Sequence, residues 1–405
     1  MKNIILLFFF ISFHLYTNSQ TIDLVGFYNV NGTMAIASLD DYMIISNGSI
    51  VNISDPANPV LNSSYGPSYL EALSILVDDG YVYFGTAMAC DLYIADISNI
   101  DFPLHEGYIS FGQDIGVGVY GIAKNDSVLF VALNYSFCSI DITEKTNPFM
   151  LDTLFIEGGS TDVKVQGMYA FVASSLGLTT VDISYPENMQ DLNHIGSGYI
   201  SIDINETHAF LGKGSGGFDV FDITDPLNPS PAFSIPNSEG SCQDIIYRDN
   251  YIYIASENGG LFVYKLENNT ATELANYNSP GGGQNFSVCL HDSLILLPEY
   301  VTGVAILQYD SIGTVGIGNN TDIQNTFSLS PNPARDYIYL KRINHINSSS
   351  EVQVKIYNTK GSIEDQFMFN GSGYKYDITG YSPGLYYCQI SEEGKLAESI
   401  KFVVY

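Results

Sequence analysis

Six acidic residues carry the first hint of chemistry in this chain. Glu71, Asp114, Glu157, Asp162, Glu239 and Asp244 each stand in the stretch that leads into a short apolar run. If those runs are equivalent strands of one repeated unit, the six carboxyl groups share a face of the molecule. A pair of such groups is what a glycoside hydrolase uses, one protonating the leaving oxygen and the other attacking or activating water. Several oxygens together could also hold Ca2+. No Asp-x-Asp-x-Asp-Gly loop is present, so a solvated acidic rim is the plainer reading. No catalytic, cofactor-binding or metal-ligating residue is assigned from sequence.

The other reactive side chains are scattered. His105, His194, His208 and His291 fall in different units and form no His-x-x-x-His pair, and there is no Gly-x-Ser-x-Gly elbow. The five cysteines, Cys90, Cys138, Cys242, Cys289 and Cys388, lack the tight spacing of a zinc site or a disulfide framework. Cys138 and Cys289 sit in apolar strands and read as buried thiols, while Cys242 lies where a bond to Cys289 could form. The glycine-rich stretches 213–217 and 280–283 lack the Gly-Lys-Ser/Thr ending of a phosphate cradle and read as strand turns. Arg248 is the one arginine before the tail, too few for a sialidase-type carboxylate clamp. Tryptophan is absent, which argues against quinoprotein docking motifs, and no companion hydrolase domain is present.

The elements that position these residues repeat. Leu178-Thr179-Thr180-Val181-Asp182-Ile183-Ser184-Tyr185-Pro186-Glu187-Asn188 is an apolar strand closed by Asp-Ile-Ser and a proline turn. Near-copies put Asn52, Asp96, Asp141 and Asp222 in the Asp slot, and two weaker copies put Lys265 and Gln308 there. The seven markers are spaced 40 to 45 residues apart, which is the signature of a repeat architecture. A short carboxylate at a strand end can accept hydrogen bonds from the turn's N–H groups, and proline then blocks the ladder. A metal-ligand role for the slot fits poorly with Lys265 and Gln308.

Between markers the order is constant. The fourth unit holds runs at 161–165, 169–173 and 178–184 and a less regular stretch to Ser197, four short strands in all. The second run recurs as 42–45, 81–84, 129–131, 209–211, 251–254 and 294–297, and it is apolar without alternation. Such a strand must be covered on both faces. Four-stranded sheets packed radially around an axis provide that cover. A parallel β-helix is the alternative, but its rungs are shorter than this unit. The expected fold is all-β, a seven-bladed β-propeller over residues 20–312, followed by a linker at 313–325 and a small C-terminal β-sandwich over 326–405. The seventh unit lacks an outer strand of its own. The segment Ile22-Asp23-Leu24-Val25-Gly26-Phe27-Tyr28 resembles the outer strand Leu104-His105-Glu106-Gly107-Tyr108-Ile109, so Asp23–Val30 is expected to close the ring.

Composition narrows the function. The chain is 45% hydrophobic and 15% charged, globular and not disordered. Its net charge of -29 is uneven: the tail from Asp322 carries eight bases and nine acids, and the repeat region six bases against 35 acids. That surface repels nucleic acid, whose binding needs Lys and Arg to replace counterions. Residues 1–19 read as a secretory signal, with Lys2, an apolar Ile4–Phe13 run and the small residues Thr17 and Ser19. No later stretch could span a membrane, so the processed form is expected to be exported and soluble.

Two resemblances add to this reading. The marker pattern, Asp-Ile-Ser/Thr-Asp-Pro-x-Asn-Pro after an apolar strand, resembles the LVIVD repeat family of secreted and surface propeller-like proteins. It carries no established catalytic residues, so it implies a fold and no activity. The tail is similar to the type A C-terminal sorting domain of the type IX secretion system of Bacteroidota. The resemblance rests on Pro331-Asn332-Pro333 with Asp336, the run Ile356–Gly361, the turn-strand Ser382–Tyr386 and the ending Lys401–Val404. It implies recognition by the type IX machinery, passage through the outer membrane, removal of the tail, and release or attachment at the cell surface. The function expected is therefore a non-catalytic binding, adhesion or scaffold module with a surface glycan or protein as ligand. A carbohydrate-active hydrolase using the acids at the ring's mouth is the alternative.

Overall fold

The two-faced apolar runs dictate the architecture. The computed structural model describes residues 21–309 and 327–404, apart from the short stretches 67–69, 88–89, 113–117, 215, 237–239, 268, 280–283, 331–333, 343–351, 359–362, 372, 383 and 393–394. The expected signal (1–19) and linker (313–325) lie outside the described residues. The chain divides into two compact units, Met1–Ser311 and Ile312–Tyr405.

Among the described residues, the first unit contains seven four-stranded antiparallel sheets. The fourth sheet is typical: Asp162–Gln166, Tyr169–Ala173, Leu178–Asp182 and Gln190–Ile195 follow one another from inside to outside. Counting sheets in chain order from Ile36, the seventh combines Cys289–His291, Leu294–Glu299 and Gly303–Tyr309 with Ile22–Asn29.

Alternate residues of each second strand go to different neighbours. Leu129, Val131 and Leu133 pack with Tyr83, Leu92 and Ile94 of the second sheet, whereas Phe130 and Ala132 pack with Val163, Ala170 and Val172 of the fourth. Phe171 and Ala173 then turn the other way, toward Ile202, Ala209 and Leu211 of the fifth. The pattern runs round to Leu296, Val304 and Ile306, which pack with Met43, Ile45 and Val51 of the first sheet. The stack is thus a closed ring. Each large side chain so buried contributes about 1.5–3 kcal/mol before entropy is counted.

The N-terminal segment closes the seventh sheet. Ile22–Asn29 pairs antiparallel with Gly303–Tyr309, from Ile22 opposite Tyr309 to Asn29 opposite Gly303. The likeness to 104–109 has a physical cause. Each proline turn presses against the outer strand of the preceding sheet. A Cβ on Gly26 would lie 1.8 Å from the Pro56 carbonyl oxygen, and one on Gly107 would lie 2.1 Å from that of Lys145. Both outer strands are also irregular beside the glycine. The last sheet therefore docks on the first as the second docks on the third.

The second unit packs two sheets face to face. One joins Phe327–Ser330, Tyr337–Arg342 and Gly373–Asp377; the other joins Ile363–Phe369, Val352–Asn358, Gly384–Glu392 and Lys395–Val404. Phe327, Ile338 and Leu340 meet Val352, Val354, Ile356, Cys388 and Phe402 between them. The Pro331–Pro333 opening and the Thr359–Gly361 turn lie outside the described residues.

Removal of Thr21–Val30 strips the seventh sheet of its outer strand and lowers the melting temperature substantially; an unchanged melt would exclude this closure. Gly26→Ala alone forces the turn off its seat and lowers unfolding free energy by roughly 1–3 kcal/mol in urea titration.

Candidate functional site at the ring axis

The innermost strand of each sheet has a ladder partner on one side only, so its other edge presents unpaired N–H groups. Three aspartates answer this edge at successive interfaces. Asp162 Oδ2 accepts from the Ile202 N–H of the fifth sheet at 3.0 Å. Asp203 Oδ2 accepts from the Tyr247 N–H of the sixth at 2.8 Å. Asp244 Oδ2 accepts from the Val288 N–H of the seventh at 2.9 Å and from the Ser287 hydroxyl at 3.0 Å. The second oxygen of Asp162 accepts from Val163 N–H, and that of Asp244 from Ile245 N–H. Between the second and third sheets a hydroxyl takes over, Ser74 donating to the Val119 carbonyl at 2.8 Å.

These strands enclose a cavity of about 450 Å3 lined from six of the sheets and from the approach to the seventh, by residues that include Ile36, Ser74, Lys164, Ser201, Gln243 and Ser287. Lys164 sits among the carboxylates, its Nζ 3.7 Å from Asp203. Burial works against its charge, but Asp203, Asp162 and Asp244 outweigh it and the net shift is upward. Burial pushes Asp244 up to about 7, with Asp162 adding to the rise and the Val288 N–H, Lys164 and Ser287 opposing it. Asp162 is raised for the same first reason, against Lys164 and its two N–H donors. The groups are reached by water through the cavity yet lie deep within the ring.

The strand-end aspartates have a separate, local role. Asp96, Asp141, Asp182 and Asp222 each accept from the N–H two residues on, at 2.7–2.9 Å, and Asn52 does the same toward Ser54. Asp96 and Asp222 lie below the usual carboxylate range because Ser98 and Thr224 donate to them. They are turn residues, as their spacing implies.

Comparison with known proteins now separates the two units. Residues 33–66, 157–191 and 239–264 match the LVIVD repeat, and residues 328–405 match the family described as the secretion system C-terminal sorting domain. The chain carries LVIVD repeats and a C-terminal sorting domain. Solved structures agree on the fold: the Pan2 WD40 domain of Neurospora crassa (13% identity, TM-score 0.54, 72% of this chain and 97% of that one) and BamB from Moraxella catarrhalis (11%, 0.50, 72% and 98%). A chain of the mitotic checkpoint complex is similar at 10% identity and TM-score 0.54, over 76% of this chain and 96% of that one. At such identities only the propeller fold is shared. No curated protein matches the sequence significantly. The sorting domain indicates export by the type IX secretion system, to the surface or beyond it.

Within the LVIVD propeller, the six acids of the expected rim do not act as one group. Asp162 and Asp244 line the axial cavity; Glu71 and Glu157 are exposed and do not line it. Asp114 and Glu239 lie outside the described residues. Among the described residues, no group of three or more His, Cys, Asp or Glu side chains is arranged to hold a metal ion. The five cysteines are free thiols, so the Cys242–Cys289 bond is not formed; Cys289 faces Ser38 and Cys242 lies against Gly212. Lys213 and Gly217 close a strand turn, as expected. Lys164 and Asp203 carry the axial charge but escape sequence reasoning. Their signal was available: each stands five residues before the residue that opens the next strand, Tyr169 or His208.

The raised Asp244 fixes a sign for stability against pH. Its folded form holds a proton more tightly than the unfolded chain, so this stabilisation is complete below about 3.8 and lost as pH rises to about 7. Relative to the native protein, the melting temperature of Asp244→Asn rises progressively across that window and the difference then holds constant above it; a pH-independent difference would remove the buried carboxyl from the account.

Proposed function

We propose that the protein is a secreted or surface-attached, non-catalytic binding or adhesion module, in which a rigid propeller presents its loop face to a surface glycan or protein. The observation that carries this is the engagement of the axial carboxylates. Both oxygens of Asp162 and of Asp244 are already held by backbone N–H donors. A carboxylate fixed in this way favours a structural role over one that exchanges protons with substrate. The sorting domain supports handling of residues 328–405 by the type IX machinery, with the leader 1–19 and the tail removed on the way.

The hydrolase reading has one observation in its favour, since an aspartic acid near pH 7 beside a second carboxyl is suited to general acid catalysis. The two readings separate in one experiment. Purified protein is incubated with cell-surface polysaccharide and cell-surface protein, and both retention and release of reducing ends are measured. Retention without reducing ends is expected. Release that is abolished by Asp244→Asn would replace the binding module with an enzyme.

A further inference from the structure

Resting on the binding-module reading, we propose that the axial cavity takes one uncharged saccharide unit, packed between Tyr120 and Phe286 and hydrogen-bonded by Lys164 and Gln243. The two rings line the same cavity from the third sheet and from the approach to the seventh, far apart around the ring. Tyr120 is 38% exposed although it belongs to an inner strand. Phe286 is braced edge-on by Tyr300, with ring centroids 5.8 Å apart. A sugar ring presents C–H faces that pack on aromatic walls and hydroxyl groups that need both donors and acceptors.

The floor offers both. Lys164 has three N–H donors, and its pairing with Asp203 at 3.7 Å is long enough to leave some of them for a ligand. The Gln243 amide donates to Ser241 at 2.9 Å, which orients its carbonyl oxygen as an acceptor. A volume of about 450 Å3 lies within the range of small-molecule sites, ~300–1,000 Å3.

Charge selects against acidic sugars. The repeat region holds six bases against 35 acids, and Asp162, Asp203 and Asp244 surround the one lysine of the cavity wall. An incoming carboxylate meets net repulsion from this field. A cationic sugar must compete with the Lys164 ammonium and with backbone N–H donors for carboxylates that are already engaged.

The test applies full-length protein to oligosaccharides of glucose, mannose and N-acetylglucosamine, with glucuronic acid and glucosamine oligomers as charged counterparts, and titrates the best of them calorimetrically. Binding is expected for a neutral probe. Tyr120→Ala and Phe286→Ala should each weaken it about tenfold, and Gln243→Ala and Lys164→Met should weaken it as well, with the melting temperature of Tyr120→Ala, at an exposed position, unchanged. Preference for a charged counterpart, or neutral binding that survives both Tyr120→Ala and Gln243→Ala, overturns the proposal. Capture of surface protein or glycan that ignores these variants overturns the site and leaves the binding module standing; absence of any capture removes both.

Discussion

The whole first unit depends on strands that are apolar on both faces. A sheet built round Leu129–Leu133 cannot be half-exposed: Phe130 and Ala132 need one neighbour, Leu129, Val131 and Leu133 another. Each sheet therefore transfers its need for cover to the next, and the demand ends only when the last sheet meets the first. Met43 and Ile45 against Leu296 and Ile306 supply that end. Closure is not an ornament of the fold but the condition on which its burial rests.

Closing the ring creates the axial problem. Inner-strand edges converge on the axial cavity, and their N–H groups need acceptors. Side chains on the face turned to the next sheet are well placed, and Asp is short enough to reach one edge N–H while bonding its own backbone. Asp162 and Asp244 do both. Lys164 then limits the repulsion among carboxylates held so near one another. The axial charges are explained by the geometry of the ring before any ligand is invoked, and this is why their presence alone does not argue for catalysis.

Legibility in the sequence follows the range of the interaction. Asp182 and its counterparts were readable because turn chemistry acts over two residues. The closing strand was readable because Gly26 and Gly107 meet the same constraint, a turn carbonyl within a Cβ's reach. Asp162 and Asp244 stand out as acids, but their partners Ile202 and Val288 are about forty residues away, so from sequence they read as part of a solvated acidic rim and their role between sheets is not legible. Lys164 and Asp203 share a register in the sequence, but a strand's charged residue reveals its direction only once the axis is known. Cys242 and Cys289 showed the converse failure, since neighbouring sheets do not imply facing sulfurs.

The large negative charge has a similar origin. The first residue of the tight turn after the inner strand is left-handed in six of the sheets; it is Gly167 in the fourth and Asp40, Asp79, Asp126, Asp249 or Asp292 in the others. Short Asp and Asn side chains tolerate that conformation better than most residues. With a second Asp closing the third strand, one blade can carry two acids for backbone reasons alone. Yet Asn52 performs the strand-end task and Asn250 is left-handed beside Asp249, so the backbone does not require the charge. Turn geometry accounts for the positions, and the preference for Asp over Asn needs a solvent-side reason. Like charge on every copy opposes close approach between rings. In the sorting domain, whose charge is almost balanced, Asp377 makes the same turn by accepting from the Thr379 N–H.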